Sequence, residues 1–446
     1  MTSWIWNTPA ITHIHGLLGR APRAPARRHA AAPPYEGPAT FGERVVFVEA
    51  YESLPPDFPC EAWRDLAGRA LEPNVFMEPD FAIPAATHLP IAQRPQFIVV
   101  WEGAAAEPRG RMIAILAIEP SRSVFKKRMA LGWLHVHAAL GAPLIDRAAA
   151  RYALRALFDW VDRERPEWIG LALPQIVRAG PLFDALVESA RDAARPWTVA
   201  RSWERAVLRT GGAEAQDFDD TSGKHRREMR RKMRQLSTVG ALAFVSYETP
   251  HAVREATEQF LALEHRGWKG ARGTALLANI CDATFTRAMT RLMARKGQCR
   301  IDALTLDGRP IAMGVLIFSG ARGYFWKTAY DETMGAHSPG ALLTQALIGA
   351  QRARPEIDMT DSCAVGNHPM IDRIWPHRQA MADLEICCDP RRAAAFHAAV
   401  RRRAAWRRAR GVAKDTLRRM TGGKSGLVAW RKGALAHGLE RVLKRS

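Results

Sequence analysis

Between residues 299 and 366 the spacing of apolar positions changes character several times. Cys299–Leu306 alternates as a half-buried strand does, and Ile311–Phe318 is almost continuously apolar, which implies a strand covered on both faces. Asp307-Gly308 between them is the pair that a two-residue type I′ turn needs, because both central residues take positive φ. Tyr324–Tyr330 reads as a third strand. The period then lengthens: Leu342, Leu343, Ala346, Leu347 and Ala350 fall on one face of a helix opened by Ser338-Pro339-Gly340. Ser338 is placed to cap that helix, Pro339 suits its first turn, and Gly340 lets a ligand approach the backbone. Free amides at a helix N-terminus beside small residues form an anion site, although the same tripeptide also reads as plain capping.

The rest of the chain repeats this plan. Strands are expected over 44–50, 96–101, 111–118, 130–134, 168–173 and 200–208, with helices over 60–72, from 146 through Trp160, and over 181–193. A second series begins with a helix over 222–236 and a strand over 243–247. Helices over 251–266 and 276–296 follow. After the hairpin and glycine loop come a strand over 356–360, a short helix over 370–375 and a strand over 382–387. In both series a hairpin and a third strand precede a Gly/Pro loop and a helix. The first series has Gly141-Ala142-Pro143-Leu144 at that loop, and we expect this half not to hold the same ligand.

Composition narrows the class. At 446 residues the chain exceeds one ordinary core, and 47% hydrophobic content is that of a globular protein. No apolar run approaches the roughly 18 residues of a membrane span, and no secretory signal is visible. Six cysteines without paired spacing read as reduced thiols of a cytoplasmic protein and give no zinc pattern. The net charge of +20 is uneven: residues 391–446 hold 17 Lys/Arg against two acids. In that segment Leu427, Trp430, Leu435, Leu439 and Val442 fall at helical spacing, which suits an anionic membrane surface, nucleic acid, or a loosely packed helix. A second block, Lys224–Arg234, has seven basic residues, with Met229, Met233 and Leu236 on one side.

The order hairpin, strand, glycine loop, helix, strand resembles the core of the GNAT acyltransferases, whose loop before the central helix binds the pyrophosphate of acyl-CoA. Trp268-Lys269-Gly270, the turn Asp307-Gly308-Arg309-Pro310-Ile311-Ala312, Trp326-Lys327 with Tyr330-Asp331, and Ser338-Pro339-Gly340 before Leu342-Leu343 resemble the CelD/BcsL-type acetyltransferases linked to bacterial cellulose and exopolysaccharide synthesis. The resemblance covers residues 220–388 well and 45–210 loosely. That family often has a Tyr-Lys pair after the glycine of a later motif. Here Gly366 is followed by Asn367-His368, so no role of that pair transfers. Two tandem GNAT-like domains are also the plan of the Fem-type peptidyltransferases.

The resemblance implies an α/β (α+β) fold of two tandem GNAT-like domains, with mixed sheets flanked by helices and a basic helical C-terminal tail. The expected divisions are a disordered extension over 1–40, a degenerate GNAT-like domain over 41–212, a basic linker helix over 213–240, an acyl-CoA-binding domain over 241–390 and the tail over 391–446. The implied function is transfer of an acyl group from acetyl-CoA or another acyl-CoA, without a metal, to an amine or hydroxyl of a sugar or envelope-polymer precursor. The implied location is the cytoplasm, peripheral at the inner membrane face. A Fem-like transferase using charged tRNA, and a non-catalytic scaffold binding membrane or nucleic acid through the tail, are the alternatives.

Acyl transfer needs a held thioester donor, a polarised carbonyl, a base for the nucleophile and a proton for the leaving thiolate. His337, Ser338, Pro339, Gly340, Ala341 and Leu342 are the expected acyl-CoA contacts. Asp331 and His368 are the expected acid/base residues; a turn or capping role is the plain alternative for each. Trp268, Lys269, Lys327, Tyr330, Asp361 and Asn367 are expected around the acceptor. Cys363 has no histidine specified as its partner and is not expected to be a nucleophile. The cations of the 224–234 block either face solvent on a helix docked by its methionines, or face the cleft and meet an anionic acceptor or the CoA 3′-phosphate.

Overall fold

Each expected strand finds its partner in the computed structural model, which describes residues 45–90, 93–103, 109–119, 129–211 and 223–420. The first series comprises β1 (Val45–Tyr51), α1 (Cys60–Arg69), α2 (Pro79–His88), β2 (Gln96–Gly103), β3 (Arg111–Ile118), β4 (Met129–Leu131), β5 (Leu144–Ile145), α3 (Ala150–Glu164), β6 (Gly170–Val177), α4 (Pro181–Asp192) and β7 (Trp197–Arg209). The second comprises α5 (Gly223–Ser237), β8 (Leu242–Tyr247), α6 (Pro250–Arg266), α7 (Trp268–Ala271), α8 (Ile280–Arg295), β9 (Cys299–Leu306), β10 (Arg309–Ser319), β11 (Arg322–Tyr330), α9 (Pro339–Arg352), β12 (Met359–Asp361), α10 (Ile371–Ile374), β13 (His377–Cys387) and α11 (Ala393–Met420). The N-terminal extension and the apolar tail positions Leu427, Trp430, Leu435, Leu439 and Val442 lie outside the described residues.

The β9–β10 turn takes the expected form, with φ of 49° at Asp307 and 76° at Gly308. Helix α2 has no counterpart in the sequence reading. Phe81, Ala82, Pro84 and Ala85 are buried around most of its circumference, so it carries no apolar stripe of helical period.

The strands form two sheets. One is antiparallel, in the order β1-β2-β3-β5; the other is mixed, with nine strands in the order β4-β6-β13-β7-β12-β11-β10-β9-β8. The halves are therefore not side by side: β13, from the end of the second half, lies between β6 and β7 of the first and is antiparallel to both. Both halves belong to one compact unit.

An aromatic seam joins them. Phe81 meets Phe285 edge-on at 5.3 Å and Phe76 meets Tyr324 at 5.3 Å, while the Tyr324 hydroxyl donates to the Pro73 carbonyl at 2.8 Å. Trp326 Nε1 donates to the His137 carbonyl at 2.7 Å. Gln298 Nε2 also donates across it to Glu78 Oε2 at 2.9 Å. No helix among the described residues is long and apolar enough to cross a membrane.

The basic tail begins later than residue 391. Phe396 in the first turn of α11 is fully buried and packs with Ala399 against Met129, Ile169 and Cys387. Arg403 Nε and Arg407 Nη1 reach the buried carboxylate of Glu385 at 3.0 and 3.2 Å. These turns belong to the core because they cover β6 and β13 and neutralise a buried charge.

Truncation after Pro390 is therefore expected to destabilise the protein, whereas truncation after Val412 should leave the melting temperature near that of the full chain. Phe396→Ala alone should cost about 3 kcal/mol in a denaturant titration. A full-length melting temperature for the shorter truncation would show that α11 is dispensable.

Glu78 gives a second expectation. Burial raises its pKa to about 7, against hydrogen bonds from Ser319 and Gln298 that lower it. The folded protein thus favours the neutral acid, so stability declines as pH rises from the ordinary carboxyl range through about 7. Glu78→Gln, which stays neutral, should melt higher than wild type near pH 8.5 and lose that advantage near pH 4.5. Equal melting curves at both pH values would mean that Glu78 is not desolvated in the fold.

Candidate active site

The site begins where the sheet opens. β11 and β12 pair in parallel over only three positions, from Arg322↔Met359 to Tyr324↔Asp361. β11 continues to Tyr330, while the chain leaves β12 through Cys363, whose φ is 54°. From Phe325 onward the β12-facing edge of β11 has no strand partner among the described residues. The loop Glu332–His337 then turns into α9.

The N-terminus of α9 lies against the end of β11. A Cβ on Gly340 would sit 3.2 Å from the Tyr330 ring, so only a bare backbone lets the two approach without displacement. Ser338 occupies the cap position in the left-handed region, at φ 53°, and its side chain does not cap the helix. Its carbonyl instead accepts from the amides of Ala341 at 3.0 Å and Leu342 at 3.2 Å. Of the three amides expected to meet a pyrophosphate, Gly340 alone is left without an acceptor among the described residues. His337, half-buried beside them, has a buried Nδ1 without a hydrogen-bond partner among the described residues.

The Ser338 hydroxyl meets a cation from outside this loop. Lys232 of α5 donates to Ser338 Oγ at 2.6 Å and lies 3.8 Å from Glu228. Met229 and Leu236 bury against Leu304, Ile311, Leu342 and Leu343, with Met233 at the margin. The methionine stripe thus docks α5, and the docking carries one of its cations to the start of α9. Arg230, Arg231 and Arg234 face solvent, as the solvated-helix reading expects.

Several expected site residues are engaged locally. The Asp331 carboxylate accepts from Thr333 N at 2.9 Å and Thr333 Oγ1 at 2.6 Å, capping the turn that follows. His368 Nδ1 accepts from the amides of Met370 and Ile371 at 3.4 and 3.3 Å. Asp361 does not line an open pocket. It is buried and paired with Arg205 Nη1 at 3.1 Å, while Arg205 Nη2 donates to Ala139 O and Gln175 Oε1. Asn367 is exposed in a left-handed turn. Trp268 is exposed, stacked under Arg272 at 4.9 Å, and its amide donates to Glu332. That bond ties the Trp268-Lys269-Gly270 turn to the loop before α9.

Lys269 and Lys327 come together in the seam, on the far side of β11 from α9. Lys269 Nζ donates to Glu264 Oε1 at 2.6 Å and to the Thr328 carbonyl at 3.2 Å. The other Glu264 oxygen accepts from Leu276 N at 2.7 Å. Lys327 is part-buried beside the Trp326 ring, 5.4 Å from its centroid. Burial, then the charge of Lys269, pushes its pKa down to about 8, against the pull of Glu264, Cys363 and Asp282. His137 Nε2 and Asp282 Oδ1 are 2.9 Å apart, and the imidazole stacks on Phe285 at 5.1 Å. Burial lowers the His137 pKa despite that carboxylate. The Cys363 thiol is raised well above its ordinary value by burial and Asp361, and so stays protonated. His137, Asp282, Glu264 and Lys232 are absent from the site residues expected from sequence. The basic block was a signal for Lys232. The pairing of His137 with Asp282, 145 positions apart, had none.

The corresponding opening in the first half is filled. β4 and β6 pair in parallel over three positions, as β11 and β12 do. The chain then returns: Gly141 N donates to Pro174 O at 3.1 Å, and β5 pairs back onto β3.

Residues 223–367 match the family model described as an acetyltransferase (GNAT) domain. The chain therefore carries a GNAT acetyltransferase domain containing α5, β8 to β12, the α9 loop and the seam lysines. Among solved structures, it is similar to FemX, with 8% identity over 73% of this chain and 95% of that one, at a TM-score of 0.49. It is also similar to the C-terminal domain of a protein described as a lysylphosphatidylglycerol synthetase from Agrobacterium fabrum, with 12% identity over 76% and 94% and a TM-score of 0.45. A tandem GNAT protein from the clavulanic acid biosynthesis pathway matches with 16% identity over 78% and 99%, at 0.39. No curated protein matches the chain in sequence.

Asp331→Ala is expected to cost about 1 kcal/mol of stability, as loss of a capping side chain does, and to leave acetyl-CoA affinity within about twofold. A variant with unchanged melting temperature and lost turnover would return Asp331 to the catalytic role its sequence position suggested.

Proposed function

We propose that the chain is an acyl-CoA-dependent acyltransferase. It moves an acetyl or longer acyl group to an amine or hydroxyl of a sugar or of an envelope or exopolysaccharide precursor. The observation that carries this reading is the start of α9, where the Lys232 ammonium is bonded to Ser338 two residues from the Gly340 amide, which has no acceptor among the described residues, within the GNAT domain. Backbone amide, helix dipole and lysine together suit a pyrophosphate. The acyl arm then runs along the unpaired edge of β11, where strand amides can hold it as a further strand would. Its carbonyl reaches the level of Trp326 and Lys327, beside the seam. The acceptor enters from the Trp268 side, where the indole is exposed.

The reaction keeps the acyl carbon between two polar regions. Lys232 holds the phosphates beside the Tyr330 end of β11, and the seam meets the nucleophile further back along the strand, at Trp326 and Lys327. We propose a cytoplasmic location, with the basic C-terminal segment against an anionic membrane surface. Arg401, Arg402, Arg408 and Arg410 of α11 are exposed.

Calorimetry should show acetyl-CoA binding to the full chain. Gly340→Glu should abolish it, because the side chain meets Tyr330 and adds a negative charge. Lys232→Ala should weaken it roughly 10- to 100-fold, the loss of one charge-assisted hydrogen bond. A wild-type protein that binds charged tRNA and ignores acetyl-CoA would overturn the reading.

A further inference from the structure

Lys327 points to the wrong face for an unbroken strand. Phe325 pairs with Leu316 and packs on the α9 side, in the cluster of Leu347 and Trp375. Regular alternation would put Lys327 on that side too. The β10–β11 register shifts between Val315 and Leu316, and the shift leaves Trp326 as the extra residue of a bulge. Beyond it Lys327 pairs with Val315 and Ala329 with Met313. Val315, Met313 and Ala329 all belong to the seam cluster with Trp326. One inserted residue has turned the lysine from the α9 face into the seam between the halves.

We infer that Lys327 is the proton acceptor for the attacking nucleophile. This rests on the acyl transfer proposed above. The neutral Nζ takes a proton from the acceptor's ammonium or hydroxyl. The freed lone pair attacks the thioester carbonyl carbon, the tetrahedral centre collapses, and the C–S bond breaks with its electron pair leaving on sulfur. The Lys327 ammonium returns its proton to the thiolate, giving CoA as the free thiol. When the acceptor is an amine, the second proton on its nitrogen passes to water.

The neighbours are already engaged. From α6, Glu264 holds Lys269 and the Leu276 amide. From α7, Lys269 is held by Glu264 and the Thr328 carbonyl. From α8, Asp282 holds His137 of the 132–141 loop, whose remaining Nδ1 is shut away from solvent. His135 beside it is buried and stays neutral, and Cys363 after β12 stays a thiol. Lys327 alone in this group has neither a hydrogen bond nor an ion pair among the described residues, and its depressed pKa keeps much of it neutral at mildly alkaline pH. A cation placed there to bind an anion would keep its charge; the nearby Lys269 and the surrounding apolar seam act against that.

Two measurements on the full chain decide the matter. In the first, the protein is labelled with acetic anhydride between pH 6 and 10 and Lys327 is compared with exposed Lys296 by peptide mapping. Half-labelling of Lys327 near pH 8, below that of Lys296, with protection by acetyl-CoA, is expected. Half-labelling as high as that of Lys296, or no protection in a protein that binds acetyl-CoA, overturns the assignment. In the second, thiol release from acetyl-CoA to water is followed for wild type, Lys327→Gln and Lys327→Arg, with affinity measured in parallel. Both variants should lose at least about 100-fold in rate at unchanged acetyl-CoA affinity. Full rate in Lys327→Arg would show that a fixed positive charge suffices and would sink the proton-acceptor role. Failure of wild type to bind acetyl-CoA would strike the proposed function instead.

Discussion

Strand β13 lies between β6 and β7, and the positions of both halves follow from it. Its pairing with β7 runs from His377↔Val207 to Ile386↔Trp197, the longest ladder in the described chain. Because β7 also pairs with β12, the first half's last strand carries the second half's last two strands on its two edges. Separating the halves would break ladder hydrogen bonds on both sides of β7, a far larger cost than undocking two globular surfaces. Arg205 lies on the same strand. Its buried pairing with Asp361 at the end of β12, and its bond to the Ala139 carbonyl, hold the 132–141 loop to the point where β12 parts from β11. Replacing either partner would leave an uncompensated buried charge, so the opening of the sheet is fixed by an interaction that spans both halves.

That constraint gives the seam its chemistry. The 132–141 loop brings His137 and its carbonyl to Asp282 and Trp326, and α7 brings Lys269 to the Thr328 carbonyl of β11. Apolar packing of Phe81, Phe285 and Trp326 excludes water and lowers the local polarity around these groups. In such surroundings a histidine or lysine loses its charge more readily, and a carboxylate or thiol keeps its proton. Lys327, His137, Glu78 and Cys363 all shift in the direction this predicts. Packing of the two halves is thus the common cause of both the stability and the titration behaviour of the seam.

Much of this was legible in the sequence, for reasons that can be named. Period-two and period-3.6 patterns locate strands and helices wherever an element has one covered face, and Asp307-Gly308 fixes its turn through positive φ. Met229, Met233 and Leu236 announce the docked face of α5. Helix α2 escapes because it is covered nearly all round. The insertion of β13 escapes because periodicity says which face of a strand is buried but nothing about which edge it joins. Asp331 and His368 satisfied the chemical description of an acid and a base, yet short-range amides claim them, a competition that local sequence permits but does not decide. Lys327 was expected beside the acceptor from its place in the motif, whereas its facing depends on a register shift set by pairing with β10.

The two halves share a plan and differ in what happens after the diverging strand. In the second half the chain leaves β11 through a turn and starts a helix beside it, so the edge of β11 stays open among the described residues. In the first half the chain crosses from β4 toward the second half, returns at Gly141 against Pro174, and lays β5 on β3. The excursion that fills the first opening is the same 132–141 segment that supplies His137 to the seam and a carbonyl to Arg205. Closing one opening and furnishing the other are therefore a single structural event. Residues that restored an open wedge in the first half would have to withdraw this loop, and the second half would lose the wall against which Trp326 and Asp282 are held.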